Sequence, residues 1–541
     1  MLVRAAALLC ASLQLSAAAQ CVVTPHVDRH LIRSAMDASL HPTLGWILSP
    51  GCSAEQTSVR VALNDGTGKQ IWASQPLTTN QSSSVPWETW MRGASSDLRS
   101  LAEGTTYSVE VAVTLADGQG QRDWSAPTAF HTQLKPAHYA HSLPLWSSNT
   151  SAEFVMLRRE ITPPTGPHEQ LYLSISAKPS PDWHKPHGRN SSHLLCSYKL
   201  WLDGVPLGVG PGRIVGGAIP VDTYNMTSLL LRGADSSILA IEAFYRSNPK
   251  PDEEGGADPD DRGGVLALLH DGANHTVSGG AAGWQALDAT AAFRPTVGPR
   301  GNGEGDGSYT QVIENIDARA YPHGWRGSNF DDSAWTEPAT RPPFGSGVAA
   351  KEALPVAMRA LPAAKFSMLS PSASASSSSG GSYRYVIDFG RNFQGHVNLS
   401  FAGGSAGQQV TVRLGEQLLV NGSVKYHSES NNVWDCGDWT LSGKPGHVDN
   451  FVPHEYVEFR WAEVINAPEP PSHTRISGWQ VHYPFNADLN EEEPAPASDS
   501  RGVTAFRSSS ESLDAVWELT RHTIDAAALD LNTDSVSQHT N

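Results

Sequence analysis

Three residues within a stretch of nine carry side chains suited to binding a sugar or a metal ion. Asp317 is a carboxylate, a group that coordinates calcium. Arg319 presents a fixed fork of N–H donors, and Trp325 offers an aromatic face. Glu314 adds a second carboxylate. The alternative is structural: Asp317 and Arg319 close the end of a strand and Trp325 packs in a core, which is the more common role for such residues.

Two other segments contain groups of metal-binding residue types. His184, His187 and His193 lie near one another, but the surrounding prolines and glycine indicate a loop, and the ligand spacing is irregular. Residues 252–261 form an acidic insertion rich in Gly and Pro. Calcium requires several convergent oxygens, so we expect a solvated loop instead. The sequence contains no CxxC motif and therefore does not predict a thiolate zinc site.

The elements that must position these residues are mostly strands. Hydrophobic residues alternate at 59–63, 171–175 and 383–387, as expected for strands with one buried face. Tyr107 follows Gly104 in a segment that resembles a tyrosine corner, and Trp46, Trp72 and Trp124 are predicted core residues of the same domain. We therefore predict a mostly β protein made of tandem β-sandwich domains.

The chain divides into six segments by composition and periodicity. The predicted boundaries are 1–19, signal peptide; 20–138, fibronectin type III-like domain; 139–365, second β-sandwich; 366–382, Ser/Gly-rich linker; 383–500, third β-sandwich; and 501–541, a terminal helical segment. The helix is predicted over about 509–529, with a capping box from Ser508 to Glu511. Its apolar stripe needs another element to pack against, and none follows it in the sequence.

Charge and targeting signals indicate a secreted protein. The net charge of −17 argues against nucleic acid and anionic membranes as partners. Arg4, the apolar run 5–15 and the small residues 17–19 form a secretory signal, and no other segment is long enough to span a bilayer. Predicted N-glycosylation sites are Asn80, Asn149, Asn190, Asn225, Asn274, Asn398 and Asn421.

The mature part of the chain has four cysteines, an even number that permits disulfides in an oxidising compartment. Cys21 and Cys52 are the predicted pair, because both lie in the first domain. Cys196 and Cys436 are either a second pair or buried thiols.

Four motifs occur in an order that resembles the α-L-rhamnosidases of glycoside hydrolase family 78. They are Asp317-Ala318-Arg319 with Gly324-Trp325, Phe330-Asp331-Asp332-Ser333 and Trp335; Asp388-Phe389-Gly390-Arg391-Asn392-Phe393-Gln394-Gly395 with Arg413-Leu414-Gly415-Glu416; Trp439-Thr440-Leu441-Ser442-Gly443 with Phe459-Arg460-Trp461-Ala462-Glu463-Val464; and the terminal helix with Asn532-Thr533-Asp534-Ser535. The similarity covers roughly residues 140–541.

The resemblance implies jelly-roll-like sandwiches, one of them concanavalin-like, followed by an (α/α)6 barrel that carries catalysis. Family members act by inversion, with two carboxylates about 6.5–9.5 Å apart. Asp534 matches the first carboxylate of the family's acidic motif, but His539 falls at the general-acid position. We therefore expect residues 501–541 to begin a truncated barrel, and the chain to be inactive alone.

The resemblance also implies a sugar site in the second sandwich. In some family members this sandwich is a carbohydrate-binding module that holds L-rhamnose with calcium. Glu314, Asp317, Arg319 and Trp325 are then the candidate sugar-binding residues, Asp317 is the candidate calcium ligand, and rhamnose-containing glycosides or polysaccharides are the expected partners. The alternatives are a rhamnose-binding protein without hydrolytic activity and a purely structural multi-sandwich protein.

Overall fold

The computed structural model describes most of the chain from Cys21 to Leu529. The described residues are 21–28, 34–49, 51–52, 54–164, 170–177, 196–212, 218–230, 235–245, 263–272, 276–278, 280–294, 314–344, 347–351, 353–369, 382–428, 433–484, 506 and 508–529. Five predicted features lie outside them: the signal peptide, the histidines at 184, 187 and 193, the acidic insertion, Asp534 and His539.

The first domain is a small β-sandwich with its own core. Its elements are β1 (Val23–Val27), β2 (Ser34–Ala38), β3 (Leu44–Leu48), β4 (Gln56–Asp65), β5 (Gln70–Ala73), β6 (Leu77–Thr78), α1 (Trp87–Trp90), a 3-10 turn (Ser96–Leu98), β7 (Thr106–Leu115) and β8 (Thr128–Thr132). β1 pairs with β3, and the larger sheet has the order β2-β8-β7-β4-β5. The alternating hydrophobic residues of β4 and β7, which are neighbours in this sheet, face the core of the domain.

Three local features of this domain bear on the sequence predictions. A disulfide joins Cys21 to Cys52. The Ala102 N–H donates to Tyr107 Oη at 3.2 Å, which is the tyrosine-corner contact. Trp46 is buried as predicted, and Trp72 is partly buried and packs against the same core. Trp124 is only partly buried and its ring lies against Arg60, so placing that indole in the core was wrong.

The second domain is a sandwich of two sheets. Its elements are α2 (Pro136–Ala140), β9 (Leu145–Trp146), β10 (Phe154–Ile161), β11 (Tyr172–Ala177), β12 (Cys196–Leu202), β13 (Val205–Gly210), β14 (Ile219–Asn225), α3 (Met226–Leu230), β15 (Ser237–Tyr245), β16 (Val265–His270), β17 (Thr276–Ser278), β18 (Trp284–Asp288), β19 (Phe293–Arg294), β20 (Asn315–Ile316), β21 (Ala339–Thr340) and β22 (Val348–Ala350). One sheet has the order β13-β12-β15-β10-β18, and the other β21-β9-β16-β11-β14-β22. Asp203 and Gly204, both with positive φ, turn the chain between β12 and β13.

The five-stranded sheet of this domain is covered on both faces. All nine residues of β15 are buried. Leu239 and Ile241 pack into the core of the second sandwich. Ile238 and Ala240 pack into a cluster that also contains residues of the third domain. The second and third domains therefore share hydrophobic core.

The third domain is built around one long strand. Its elements are β23 (Ala357–Pro362), β24 (Lys365–Met368), β25 (Tyr383–Phe401), β26 (Gln409–Gly415), β27 (His427–Ser428), β28 (Val433–Trp434), β29 (Cys436–Thr440), β30 (Asp449–Phe451), β31 (Val457–Ala467) and β32 (Ile476–His482). The main sheet has the order β23-β32-β25-β31-β26-β29, and β24 and β30 also pair with β25. Pairing of β25 with β31 is interrupted between Asp388 and Phe393.

The prediction of a linker from residue 366 is wrong, because residues 366–368 belong to strand β24. The predicted start of the third domain at residue 383 is wrong for the same reason. β23 pairs with β32, and β24, which includes Phe366, pairs with β25. The domain therefore begins with β23, and the Ser/Gly-rich run lies between two paired strands of one sheet. Composition marks such a run as loop-like, but it does not say whether the flanking strands share a sheet.

Helix α4 (Glu511–Ala527) confirms that a helix follows the strands. The predicted capping box is wrong, because Ser510 is the N-cap residue and its side chain makes no cap hydrogen bond. The Ser508 N–H instead donates to Asp514 Oδ1 at 2.8 Å. Within the described residues, no helix is long and apolar enough to cross a membrane.

The helix packs on the third domain, although much of its apolar surface remains exposed. Arg359 donates to Asp525 Oδ2 at 2.7 Å, and the Tyr483 N–H donates to Ala528 O at 3.0 Å. The exposed fractions of Leu513, Val516, Leu519 and Ile524 are 53%, 58%, 66% and 50%. The expectation that the apolar stripe lacks a packing partner is therefore confirmed for Leu513, Val516 and Ile524, whereas Asp525 and Ala528 contact the third domain.

The remaining cysteines and predicted glycosylation sites differ in exposure. Cys196 and Cys436 are buried thiols. Asn80, Asn149 and Asn421 are exposed, as glycan attachment requires, whereas Asn225 and Asn398 are only partly exposed and lie in β14 and β25. Asn190 and Asn274 fall outside the described residues.

Candidate functional site

The turn after β20 fixes both Asp317 and Arg319 by hydrogen bonds between them. The Arg319 N–H donates to Asp317 Oδ1 at 3.0 Å. Arg319 Nε and Nη2 donate to Oδ1 and Oδ2 at 2.9 and 2.6 Å. Both carboxylate oxygens thus already accept charge-assisted bonds. The prediction that Asp317 binds calcium is not supported, because both of its carboxylate oxygens accept hydrogen bonds from Arg319.

Trp325 is a core residue and offers no face to a sugar. Its side chain is 1% exposed. Its ring lies 6.0 Å from that of Trp201, centre to centre, and its Nε1–H donates to Tyr321 Oη at 3.3 Å. The predicted stacking of this indole on a pyranose was therefore wrong, and the structural alternative holds.

Glu314 is also buried, away from any surface site. Its Oε1 accepts the Glu455 N–H at 2.8 Å, and its carbonyl oxygen accepts from Trp439 Nε1 at 3.0 Å. Burial, and then the charge of Glu455, raises the pKa of Glu314 to about 8. The four predicted sugar-binding residues therefore do not form one exposed site.

A buried polar network joins the second and third domains near these residues. His454 Nδ1 lies 3.0 Å from Glu242 Oε1, and Arg326 Nη2 donates to Glu242 Oε2 at 3.2 Å. Lys199 Nζ donates to Pro453 O at 2.9 Å, and desolvation lowers its pKa to about 8. Clusters of shifted pKa values mark either active sites or structural ion pairs. None of these groups is among the residues that line the cleft described next, which favours the structural role.

The segment that carries the family-like motif lines a cleft. The cleft encloses about 490 Å³ and is lined by Asp203, Ser236, His323, Gly324, Gly327, Ser328, Asn329, Phe330 and Asp331. Asp203 and Ser236 come from the turn regions before β13 and β15, and the other residues follow β20. The volume lies in the range of small-molecule sites.

A buried arginine holds the rim of this cleft in place. Arg158, on β10, is 3% exposed. Its Nη2 donates to Gly327 O at 3.0 Å and to Phe330 O at 3.4 Å, and its Nε lies 3.0 Å from Asp332 Oδ2. Because Arg158 lies on a regular strand, its bonds hold the rim of the cleft in one conformation before a ligand binds.

The rim groups are suited to hydroxyl-rich ligands. Asn329 and Asp331 are exposed, and Phe330 is half-buried. Hydrogen bonds from Ser333 lower the pKa of Asp331, so this carboxylate is an ionised acceptor at neutral pH. Sequence reasoning quoted Phe330 and Asp331 within a motif but did not select them as ligands. The sequence signal that could have identified Phe330 and Asp331 is the run of polar residues and glycine that follows Trp325.

Comparison with known proteins supports the family resemblance at two places in the chain. Residues 379–482 match the family model of the bacterial α-L-rhamnosidase concanavalin-like domain. Residues 30–135 match the Rha78A-like N-terminal immunoglobulin domain. A curated α-L-rhamnosidase of Streptomyces avermitilis is 29% identical over 188 residues, which are 34% of this chain and 17% of that protein.

Solved α-L-rhamnosidase structures share the fold of this chain. The Dictyoglumus thermophilum enzyme has a TM-score of 0.57 at 16% identity, over 85% of this chain and 48% of its own. The Aspergillus terreus enzyme has a TM-score of 0.58 at 18% identity, over 86% and 49%. The Streptomyces avermitilis enzyme, solved with L-rhamnose, has a TM-score of 0.58 at 18% identity, over 95% and 61%.

The present chain thus spans about half the length of the first two structures. Together, these matches confirm the resemblance to the α-L-rhamnosidases of glycoside hydrolase family 78, and two segments of this chain match the immunoglobulin and concanavalin-like domain models of such enzymes.

Proposed function

We propose that this chain is the N-terminal, non-hydrolytic part of a secreted α-L-rhamnosidase that releases terminal α-L-rhamnose with inversion. The observation that carries this proposal is the presence of both rhamnosidase domain matches in a single chain. The similarity in fold over 85% or more of the chain to three solved α-L-rhamnosidases supports it.

Residues 1–541 alone are proposed to be inactive. His539 stands at the position of the family's general-acid Glu. Loss of a general acid lowers the rate of the catalysed reaction by about 10²–10⁴-fold. The test is hydrolysis of a chromogenic α-L-rhamnoside by the purified chain, with a mock purification as the control. Turnover above the mock that is abolished by Asp534→Ala contradicts the proposal.

The role proposed for the chain itself is binding of rhamnose-containing glycosides at the cleft beside Phe330. Asn329 and Asp331 would bond sugar hydroxyls, while Phe330 supplies apolar contact. Sugar hydroxyls exchange water bonds for protein bonds with little net gain. We therefore expect a Kd for L-rhamnose no tighter than about micromolar.

Calorimetric titration with L-rhamnose tests this role directly. Asn329→Ala and Asp331→Asn are expected to weaken binding, whereas Asp97→Asn, an exposed change in the first domain, is the matched control. Calcium binding was expected from the family resemblance, so each titration is repeated after chelation. Equal affinity in the cleft variants and the control places the sugar elsewhere, and no heat at millimolar sugar leaves only a structural role.

Secretion and glycosylation are part of the same proposal. The signal at residues 1–19 predicts that the mature chain begins at Gln20. Expression in a eukaryotic host with its native N-terminus tests this by N-terminal sequencing of the medium fraction. Asn80, Asn149 and Asn421 are the expected glycan sites, because they are exposed. Retention of the chain inside the cell, with an intact Met1, contradicts secretion.

A further inference from the structure

Three side chains with metal-binding atoms meet where the segment after β20 contacts the third domain. His323 belongs to that segment, whereas His447 precedes β30 and Asp449 begins it. One nitrogen or oxygen ligand atom from each residue lies within 4.8 Å of the other two. Residues far apart in sequence are thus brought together by the packing of two domains.

The distances between these atoms are too long for hydrogen bonds and suit an ion placed between them. Asp449 Oδ1 lies 3.6 Å from His323 Nε2 and 3.7 Å from His447 Nε2. An N–H···O hydrogen bond spans about 2.7–3.2 Å. Zinc bonds of about 2.0–2.1 Å place two tetrahedral ligands about 3.3 Å apart. Small movements of the side chains would therefore complete coordination.

Two of these three ligand atoms, Asp449 Oδ1 and His447 Nε2, are buried and make no hydrogen bond within the described residues. Asp449 is 3% exposed. Its Oδ2 accepts the Ser442 N–H at 2.8 Å, but Oδ1 accepts no hydrogen bond from any described residue. His447 Nε2 is likewise buried and makes none within the described residues. Buried polar atoms left unpaired are costly, so such a pair points to a ligand.

The third ligand, His323, lies beside a further oxygen. Its Nε2 is 3.1 Å from Ala318 O, to which Nε2–H donates. An ion bound at Nε2 requires the proton to lie on Nδ1. This releases the Ala318 carbonyl oxygen as an additional donor near the ion, and it gives up the long contact of 3.5 Å in which Nδ1 accepts the Asn450 N–H.

We propose that His323, His447 and Asp449 bind a divalent transition-metal ion, with Zn²⁺ as the best match, and that the ion ties the segment after β20 to the concanavalin-like domain. Two imidazoles and one carboxylate suit zinc, whereas calcium takes oxygen ligands. Three protein ligands leave one position for water or Ala318 O. This site is distinct from the calcium ligand expected at Asp317 and independent of sugar hydrolysis.

The test is calorimetric titration of the chelator-treated, desalted full chain with Zn²⁺, repeated with Co²⁺ and read by visible absorption. We expect one equivalent to bind and to raise the melting temperature, and Ca²⁺ to do neither. His447→Ala and Asp449→Asn are expected to weaken Zn²⁺ binding by at least about tenfold. Of the three proposed ligands only His323 lines the cleft, so these two variants remove the ion site without altering a side chain of the cleft wall.

Two controls make the outcome decisive. His473→Ala removes an exposed histidine of the same domain and is expected to bind Zn²⁺ like the wild type. A triple His184/His187/His193→Ala variant removes the other histidine group. His447 is one-third exposed, so its replacement is expected to leave the fold intact by circular dichroism. Wild-type affinity in His447→Ala, loss of binding in the triple variant, or no binding to the wild type overturns the proposal.

Discussion

His454 Nδ1 lies 3.0 Å from Glu242 Oε1, and this buried contact crosses from the third domain to the second. Glu242 also accepts from Arg326, so its carboxylate has two partners. Burial would raise the pKa of Glu242, but the bond from His454 and the nearby positive charges outweigh it, and the pKa is lowered. The ionised carboxylate is therefore part of what holds the two domains together.

Replacing Glu242 by Gln is expected to destabilise the joined second and third domains by about 3–5 kcal/mol, because Arg326 is left buried without its counter-charge. Chemical denaturation measures the loss in the free energy of unfolding. Glu511→Gln, an exposed change on helix α4, is the control. A loss of less than about 1 kcal/mol would mean that the pair contributes no more than a surface salt bridge.

Stability is expected to fall with rising pH because of Glu314. Its pKa is raised from 4.5 to about 8, so the unfolded chain releases the proton near pH 4.5 while the folded chain keeps it. The favourable contribution is complete below pH 4.5 and is lost as the pH rises to about 8, by at most about 1.4 kcal/mol per pH unit. The isosteric Glu314→Gln variant should flatten this part of the profile between pH 5 and 7.5. Parallel profiles for the two proteins would contradict the shift.

Trp325 is expected to matter for stability and not for sugar contact. Trp325→Ala should cost about 3–5 kcal/mol, because it leaves a cavity in the core shared by the second and third domains. The smaller change Trp325→Phe should retain the fold, and its calorimetric affinity for L-rhamnose should match the wild type. A folded Trp325→Phe protein that has lost sugar binding would restore the indole as a ligand.

Deletion of residues 506–541 is expected to lower the melting temperature of the third domain. Arg359 and Gln480 lose Asp525, and the Tyr483 N–H loses the Ala528 carbonyl. Hydrogen bonds to charged groups contribute about 1.5–3 kcal/mol, which corresponds to about 3–12 °C for a domain of this size. Scanning calorimetry is the measurement, and Asp525→Ala should reproduce part of the effect. An unchanged transition would mean that the helix adds nothing to the sandwich.

The exposed side of the same helix is expected to drive self-association. Leu513, Val516, Leu519 and Ile524 are each at least half exposed, and apolar patches of this kind favour association. Leu513→Glu with Val516→Glu should lower the apparent mass in light scattering at high protein concentration. The melting temperature should stay unchanged, because neither side chain is buried. Glu518→Gln is the control for a change on the same helix.

Prediction from sequence was most successful where a local period determines the structure. The alternation at 59–63 and 171–175 predicted strands, and the alternating hydrophobic residues of both are buried. It failed where partners distant in sequence decide the outcome. From the sequence, Trp325 could stack on a sugar or pack in a core, and its burial against Trp201, more than a hundred residues away, decides between the two. The Ser/Gly-rich run looked like a domain linker, because pairing of β24 with β25 has no local signal.

The candidate sites depended even more on long-range packing. Asp331 was visible in a motif, but its cleft needs Asp203 from a distant hairpin turn. His323 and Asp449 are more than a hundred residues apart in sequence, and no spacing rule connects them. Sequence motifs did not predict these sites because the order of strands in a sheet decides which side chains meet. That order depends on packing of the whole core and not on any single segment.

The five-stranded sheet with two buried faces bears on how such chains can be recombined during evolution. The immunoglobulin-like domain has its own core and disulfide, so it can be exchanged or inherited as a unit. A break between the second and third domains would instead expose Phe154, Trp201 and Ala240 to water. The second and third domains are therefore expected to be inherited as one unit. A substitution in the shared core of one domain is expected to require a compensating substitution in the other.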